Sequence, residues 1–187
     1  MARMANDGLA ELVEKYPDRF IGAAACLPMN DVDAALLETE RAIEQLGFRG
    51  VEIFTDICGK PLDSPEFFPL YEKMQAYDLP ILLHPRRTNT TADYPDEERS
   101  QFLIYTNFGW PFETAKAMAR LAFGGVLQRF PKLKIVTHHA GGLVPFFAKR
   151  IELSWDFNRT LMGYQDDGQT LSKAPIEYYK QFYCDTA

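Results

Sequence analysis

The stretch Lys134-Ile-Val-Thr-His-His-Ala-Gly-Gly142 decides how the chain is read. Lys134 to His139 is short, apolar and β-branched, which predicts a strand, and the two glycines after it open a turn. Pro80-Ile-Leu-Leu-His84-Pro85 repeats the same form: an apolar run, a terminal histidine and a sharp stop. The sequence holds 3 histidines, His84, His138 and His139, and each stands at the C-terminal end of a predicted strand. In α/β folds with parallel strands, ligands bind and chemistry occurs at that edge.

Three further runs read as strands: Phe20 to Leu27, stopped by Pro28; Gly50 to Phe54; and Phe182 to Asp185 at the end. Amphipathic segments lie between them. Met1 to Tyr16 carries Leu9, Leu12, Val13 and Tyr16 at helical spacing. Asn30 or Asp31 caps a helix to Leu46 with Leu36, Ile43 and Leu46 on its apolar side, and Gly47 stops it. Ser64-Pro65 opens a helix through Tyr77 with Phe67, Leu70, Tyr71 and Met74 inward. Helices are also expected over Pro111 to Phe123, about Pro145 to Phe157, and Ala174 to Lys180. Arg86 to Trp110 is long, polar and turn-rich, the mark of a functional loop. Strands alternating with helices predict an α/β fold: one parallel sheet, covered on both faces by helices. An open doubly wound sheet and a (β/α) barrel both satisfy this pattern. No repeat, low-complexity tract or linker divides the 187 residues, so a single domain is expected.

Apolar residues make up 47% and charged residues 25%, a globular composition. Lys and Arg total 20 against 26 Asp and Glu, a net charge of -6, which argues against nucleic acid or an anionic membrane as partner. No apolar run nears the ~20 residues of a membrane span, and no leader opens the chain, so a cytoplasmic protein is expected. Cysteines number 3, with no Cys-x-x-Cys spacing, and Cys26 and Cys184 lie in apolar runs, which predicts buried, reduced thiols.

Side chains alternate across a strand, so His138 and His139 should face opposite ways. The expectation is that His139 points into a site with Thr137 and Ile135, while His138 and Val136 point at the helices. His84 and His139 on neighbouring strands, ~4.8 Å apart, would bring their imidazoles within about 10 Å. Ala140-Gly141-Gly142 either supplies free N–H groups or is a tight turn. Asp185 could bind a metal, orient a histidine or touch substrate. Arg86 and Arg87 could meet a carboxylate. Glu52 and Asp56 are weaker candidates, and Phe108-Gly-Trp-Pro-Phe112 reads as core packing in preference to a pocket wall. Gly-x-Gly-x-x-Gly, the P-loop and Gly-x-Ser-x-Gly are all missing from the sequence, which removes nucleotide-fingerprint and serine-nucleophile readings.

Pro80 to Pro85, Gly124-Gly-Val-Leu-Gln-Arg-Phe-Pro-Lys-Leu-Lys134 and Thr137-His-His-Ala-Gly-Gly-Leu-Val-Pro145 together resemble the amidohydrolase-related family. That family includes aminocarboxymuconate-semialdehyde, resorcylate and carboxyvanillate decarboxylases. Tyr16-Pro-Asp-Arg-Phe20 and Phe182-Tyr-Cys-Asp-Thr186 are similar to it too. The resemblance implies a metal-dependent (β/α)8 barrel, with these strands corresponding to its third to seventh. It implies that His84 is a ligand of a zinc or manganese ion, that His139 transfers protons, and that Asp185 is a seventh-strand residue. The family's His-x-His pair and final-strand aspartate have no counterpart here. The expectation is therefore an incomplete barrel domain over 1–187, lacking the first and last strands, with open sheet edges that favour a homo-oligomer. The implied activity is decarboxylation or hydrolysis of a small carboxylate, using metal-activated water and His139, with Arg86 and Asp185 nearest the substrate. The alternatives are an inactive fragment or truncated paralogue acting through assembly, and an open-sheet protein that binds small molecules.

Overall fold

The computed structural model describes residues 1–160 and 171–186, with side chains described as far as residue 157 in the first segment. Its strands are β1 (Ala24–Cys26), β2 (Gly50–Phe54), β3 (Pro80–His84), β4 (Lys134–Thr137) and β5 (Tyr183–Cys184). They form one 5-stranded parallel sheet in the order β1-β2-β3-β4-β5. Strands that neighbour in chain order, joined through helices, build a (β/α) barrel wall; a doubly wound sheet reverses its order partway. The fold is thus a partial (β/α)8 barrel.

The helices are α1 (Ala2–Lys15), α2 (Val32–Glu40, continued by a π turn at Arg41–Gln45), α3 (Phe68–Tyr77), α4 (Trp110–Phe123), α5 (Val126–Arg129), α6 (Val144–Thr160) and α7 (Pro175–Tyr179). Asp31 caps α2 by accepting from the Ala34 N–H at 3.0 Å. Short α5 follows Gly124-Gly125, where the sequence suggested only a break.

Register divides the sheet into two faces. Ala25, Val51, Ile81 and Ile135 align across four strands, and Ile53, Leu83 and Thr137 align one rung on. All of these are buried, packed under Leu70, Tyr71 and Met74 of α3 and Ala117, Met118 and Leu121 of α4. The opposite row, Cys26, Glu52, Leu82 and Val136, is exposed or half-buried. Helices therefore seal one face and leave a concave face open, which corrects the expectation of cover on both. The same geometry corrects the thiols: Cys26, Cys58 and Cys184 are all free and exposed. β5, expected to be buried, is exposed at both residues.

The expected apolar face of α1 is also corrected. Leu12 and Tyr16 are exposed, and the one fully buried residue of the helix is Asn6. Its amide accepts from the Cys26 N–H (2.9 Å) and donates to the Cys26 carbonyl (3.0 Å) and to Glu38 Oε1 (2.7 Å). A side-chain amide presents the same donor and acceptor as a neighbouring strand, so Asn6 closes the outer edge of β1 where α1 crosses it. Glu38, buried on α2 with Ala35, Thr39 and Ala42, is in turn gripped by both nitrogens of the Arg41 fork, at 2.9 and 2.7 Å. The Arg41 guanidinium holds the Glu38 carboxyl below the usual carboxylate range. Replacing Asn6 with Ala would leave a buried edge carbonyl, an edge N–H and Glu38 short of partners. Asn6→Ala should cost about 3 kcal/mol, seen as a lower urea midpoint at unchanged slope, while exposed Leu12→Ala should stay under about 1 kcal/mol.

Candidate active site

The ladder carries one rung past the strands proper. His138 N donates to Leu83 O (3.2 Å), and Asp185 N donates to Thr137 O (3.2 Å). Phe54 pairs with His84 in register, so Phe54, His84, His138 and Asp185 follow one another across β2 to β5 at the C-terminal edge. By alternation this rung shares the face of Leu82 and Val136, the open concave side. His138 therefore points into the site and not at the helices. Thr137 and Ile135, expected beside the catalytic ring, are the buried helix-facing residues. Alternation held; the face assigned to it was the wrong one.

His139 reaches the same place by a different route. The chain leaves the ladder after His138, and His139, Ala140, Gly141 and Gly142 all take positive φ (58°, 53°, 77° and 62°). Left-handed backbone at histidine and alanine is strained by roughly 1–3 kcal/mol per residue, and such strain gathers at functional sites. Gly142 is required twice over: for its φ of 62°, and because a Cβ there would stand 2.6 Å from the Pro111 carbonyl. This turn brings the His139 ring centroid to 5.5 Å from His84 and 6.2 Å from His138, while His84 and His138 are 5.2 Å apart. Of the two sequence readings of this segment, the tight turn is the observed one.

Three rings thus converge over the mouth of β3 and β4, and their environments differ. His84 Nδ1 lies 2.9 Å from the Pro85 carbonyl. A carbonyl oxygen only accepts, so Nδ1 carries the hydrogen and Nε2 the lone pair. His138 Nδ1 lies 3.0 Å from Asp185 Oδ2, whose other oxygen accepts from the Ala140 N–H at 2.9 Å. His139 stacks on Trp110, with centroids 5.2 Å apart and planes 29° apart. The buried Nε2 atoms of His138 and His139 have no hydrogen-bond partner among the described residues. Burial and the neighbouring His84 hold the His139 pKa below the ordinary imidazole value, against the pull of Asp185.

Trp110 is the site residue that sequence reasoning undervalued. Its indole packs edge-on to His84, 5.6 Å away, and donates to the Arg87 carbonyl at 2.9 Å. Arg87 in turn lies against Gly109, where a Cβ would collide with its side chain, and between Asp93 and Glu113 at 4.0 Å from each. The expectation of core packing is corrected for the aromatics on either side: Phe108 is 68% and Phe112 49% exposed. The Arg86 guanidinium turns back to Asp56 (2.7 Å), and its N–H donates to buried Thr55 (2.9 Å). Glu52 is on the concave face, one rung below His84. An apolar cavity of about 190 Å³ between β4, β5 and the starts of α6 and α7 is lined by Thr137, Val144, Tyr179 and Cys184 and touches none of the histidines.

With this geometry in hand, comparison with known proteins is informative. A family model described as amidohydrolase matches residues 1–182. The chain is 32% identical over 186 residues to 2-amino-3-carboxymuconate-6-semialdehyde decarboxylase of Dictyostelium discoideum, covering 100% of this chain and 49% of the relative. It is 38% identical over 157 residues to gamma-resorcylate decarboxylase of Polaromonas sp., covering 81% and 48%. Among solved structures, 5-carboxyvanillate decarboxylase of Sphingomonas paucimobilis superposes with a TM-score of 0.81 at 30% identity, over 98% of this chain and 53% of that one. Dihydroxybenzoic acid decarboxylase of Polaromonas sp. JS666, solved with manganese and 2-nitroresorcinol, gives 0.77 at 30% identity, over 98% and 55%. The chain spans about half the length of the curated relatives it matches.

The depressed His139 value has a definite sign. A ring with a lower pKa folded than unfolded binds more protons when unfolded. Its contribution to stability is full above about pH 6.5 and is lost as pH falls below that value. NMR titration of the ring should place His139 below about 6.5, and His84→Phe should raise it, because a repelling neighbour is gone.

Proposed function

The chain belongs to the amidohydrolase family, and from that membership and its histidine cluster we propose that it serves metal-dependent decarboxylation of a small aromatic or unsaturated carboxylate. Its relatives are decarboxylases, and the Polaromonas structure holds manganese. The observation that carries the reading is the convergence of three imidazoles on one open sheet edge, two of them with buried, unpartnered Nε2 atoms.

The residues fit a divalent ion, zinc or manganese, in part. His84 has the lone pair of a metal ligand, fixed by the Pro85 carbonyl. Among the described residues, no group of three or more His, Cys, Asp or Glu side chains is arranged to hold an ion. When bound, such an ion supplies Lewis-acid polarisation of the substrate carboxylate and its neighbouring oxygen. The chain's own residues do the rest. His84 binds at Nε2. Trp110 backs His139 with a flat apolar wall suited to a planar substrate. His139, neutral near pH 7, accepts a proton at Nε2 and returns it to the carbon that loses the carboxylate. The C–C bond then breaks, and its electron pair restores the substrate's π system as carbon dioxide leaves. Arg86 and Asp185 are the weaker candidates for substrate contact. Hydrolysis of a small carboxylate by the same groups is the near variant of this chemistry.

The incomplete ligand set favours a second reading, an inactive chain that acts through assembly. A homo-oligomer suits the free edge of two-residue β5, and free thiols suit the reducing cytoplasm. No helix among the described residues is long and apolar enough to cross a membrane.

The test is release of carbon dioxide from 2,6-dihydroxybenzoate and 5-carboxyvanillate by protein supplied with Mn²⁺ or Zn²⁺. Turnover is expected, and His139→Gln should lower kcat by roughly 10²–10⁴. Metal-loaded protein that releases none from either compound would establish the assembly reading.

A further inference from the structure

Resting on the reading of His84 as a metal ligand, we propose that His138 is a second ligand of the same ion, held for that role by Asp185. Metal-ligating histidines characteristically donate their other ring N–H to a carboxylate or a backbone carbonyl, which fixes the tautomer and turns the free lone pair toward the metal. The cluster sorts itself by this criterion. His84 donates Nδ1–H to the Pro85 carbonyl. His138 donates Nδ1–H to the Asp185 carboxylate. His139 instead has an indole against its face, and its pKa is lowered by burial and by His84. Two rings are built as ligands and the third is left free for proton work.

Spacing agrees. Two imidazoles bound through Nε2 at about 2.1 Å around a tetrahedral ion have ring centres about 5 Å apart. His84 and His138 are neighbours on one rung with centroids at 5.2 Å. His138 Nε2 is buried without a hydrogen-bond partner among the described residues, a costly state for an imidazole unless something occupies that lone pair. Asp185 is thus a positioning residue. Besides orienting the His138 ring, its second oxygen holds the Ala140 N–H, so one carboxylate fixes both the ligand and the left-handed turn that follows.

The test is metal binding by the full chain, stripped with chelator and titrated with Zn²⁺ by calorimetry and with Co²⁺ by its visible spectrum. Wild type should bind one ion per chain. His138→Phe and His84→Phe should each weaken binding at least ~10-fold and change the Co²⁺ spectrum, because each removes a ligand. Asp185→Asn, which keeps the ring and the ladder, should weaken Zn²⁺ binding by roughly 10-fold. His139→Gln should change it by less than about 3-fold. Wild-type affinity in both His138→Phe and Asp185→Asn overturns the inference. So does the reverse pattern, with affinity lost in His139→Gln and kept in His138→Phe. Loss in His84→Phe alone overturns the role of His138 and leaves the proposed function standing. A wild-type chain that binds neither ion removes both.

Discussion

The site depends on the register of the parallel ladder. Phe54, His84, His138 and Asp185 come from four strands widely separated in sequence, yet hydrogen-bond pairing sets them on one rung and one face. A slip of one residue in β4 would exchange His138 for Thr137 on the concave side and bury the imidazole under α4. What prevents the slip is the opposite face. Ile135 and Thr137 align with Ile81 and Leu83 in a fully buried row, so the apolar energy of the core and the placement of the polar cluster are set by the same pairing. The edge strand β1 needs separate fixing, and Asn6 supplies it with two hydrogen bonds to one residue.

Strain is concentrated where the ladder ends. His139 and Ala140 adopt a conformation that only glycine takes freely, and Gly141 and Gly142 continue it. The run is held from both sides: Asp185 binds the Ala140 N–H, and Gly142 lies against Pro111 at the start of α4. Without it, the residue after His138 would continue onto the helix-facing side. The turn therefore puts two consecutive residues into one site, which a regular strand cannot do.

Much of this was legible beforehand. The strands Gly50–Phe54 and Pro80–His84 and the buried stripe Phe67, Leu70, Tyr71 and Met74 follow directly from composition and period. The histidine-bearing strand ends and the family resemblance were legible too. The face of His138 was not, because both faces of a parallel strand are apolar and period two does not tell them apart. One signal was present: Glu52 is the lone charge inside Gly50–Phe54, it marks the face away from the helices, and β2–β3–β4 register carries its parity to His84 and His138. The left-handed turn was half visible in Gly141-Gly142. Nothing local announced positive φ at His139 and Ala140, since that conformation is imposed by Asp185, 45 residues away. The role of Asn6 was hidden for a similar reason: a polar residue on a helix reads as solvent-facing until an unpaired strand edge is found against it.

The concave face explains why polarity and openness occur together here. Cys26, Glu52, Leu82 and Val136 lie below the histidine rung without helical cover, and in a closed barrel such inward residues pack against strands from across the lumen. The chain matches about half of each relative, and these strands with their helices fold into the same arc as the corresponding part of the decarboxylase barrels. Burial of His138 Nε2 and His139 Nε2 does not wait on a second half: the rings, Trp110 and the loop from Arg87 to Gly109 already shield them. Low dielectric around a lone pair is what lowers the His139 pKa and what strengthens any cation–imidazole bond in the same space. Electrostatic preparation of the site is thus a property of these strand ends and the loop above them.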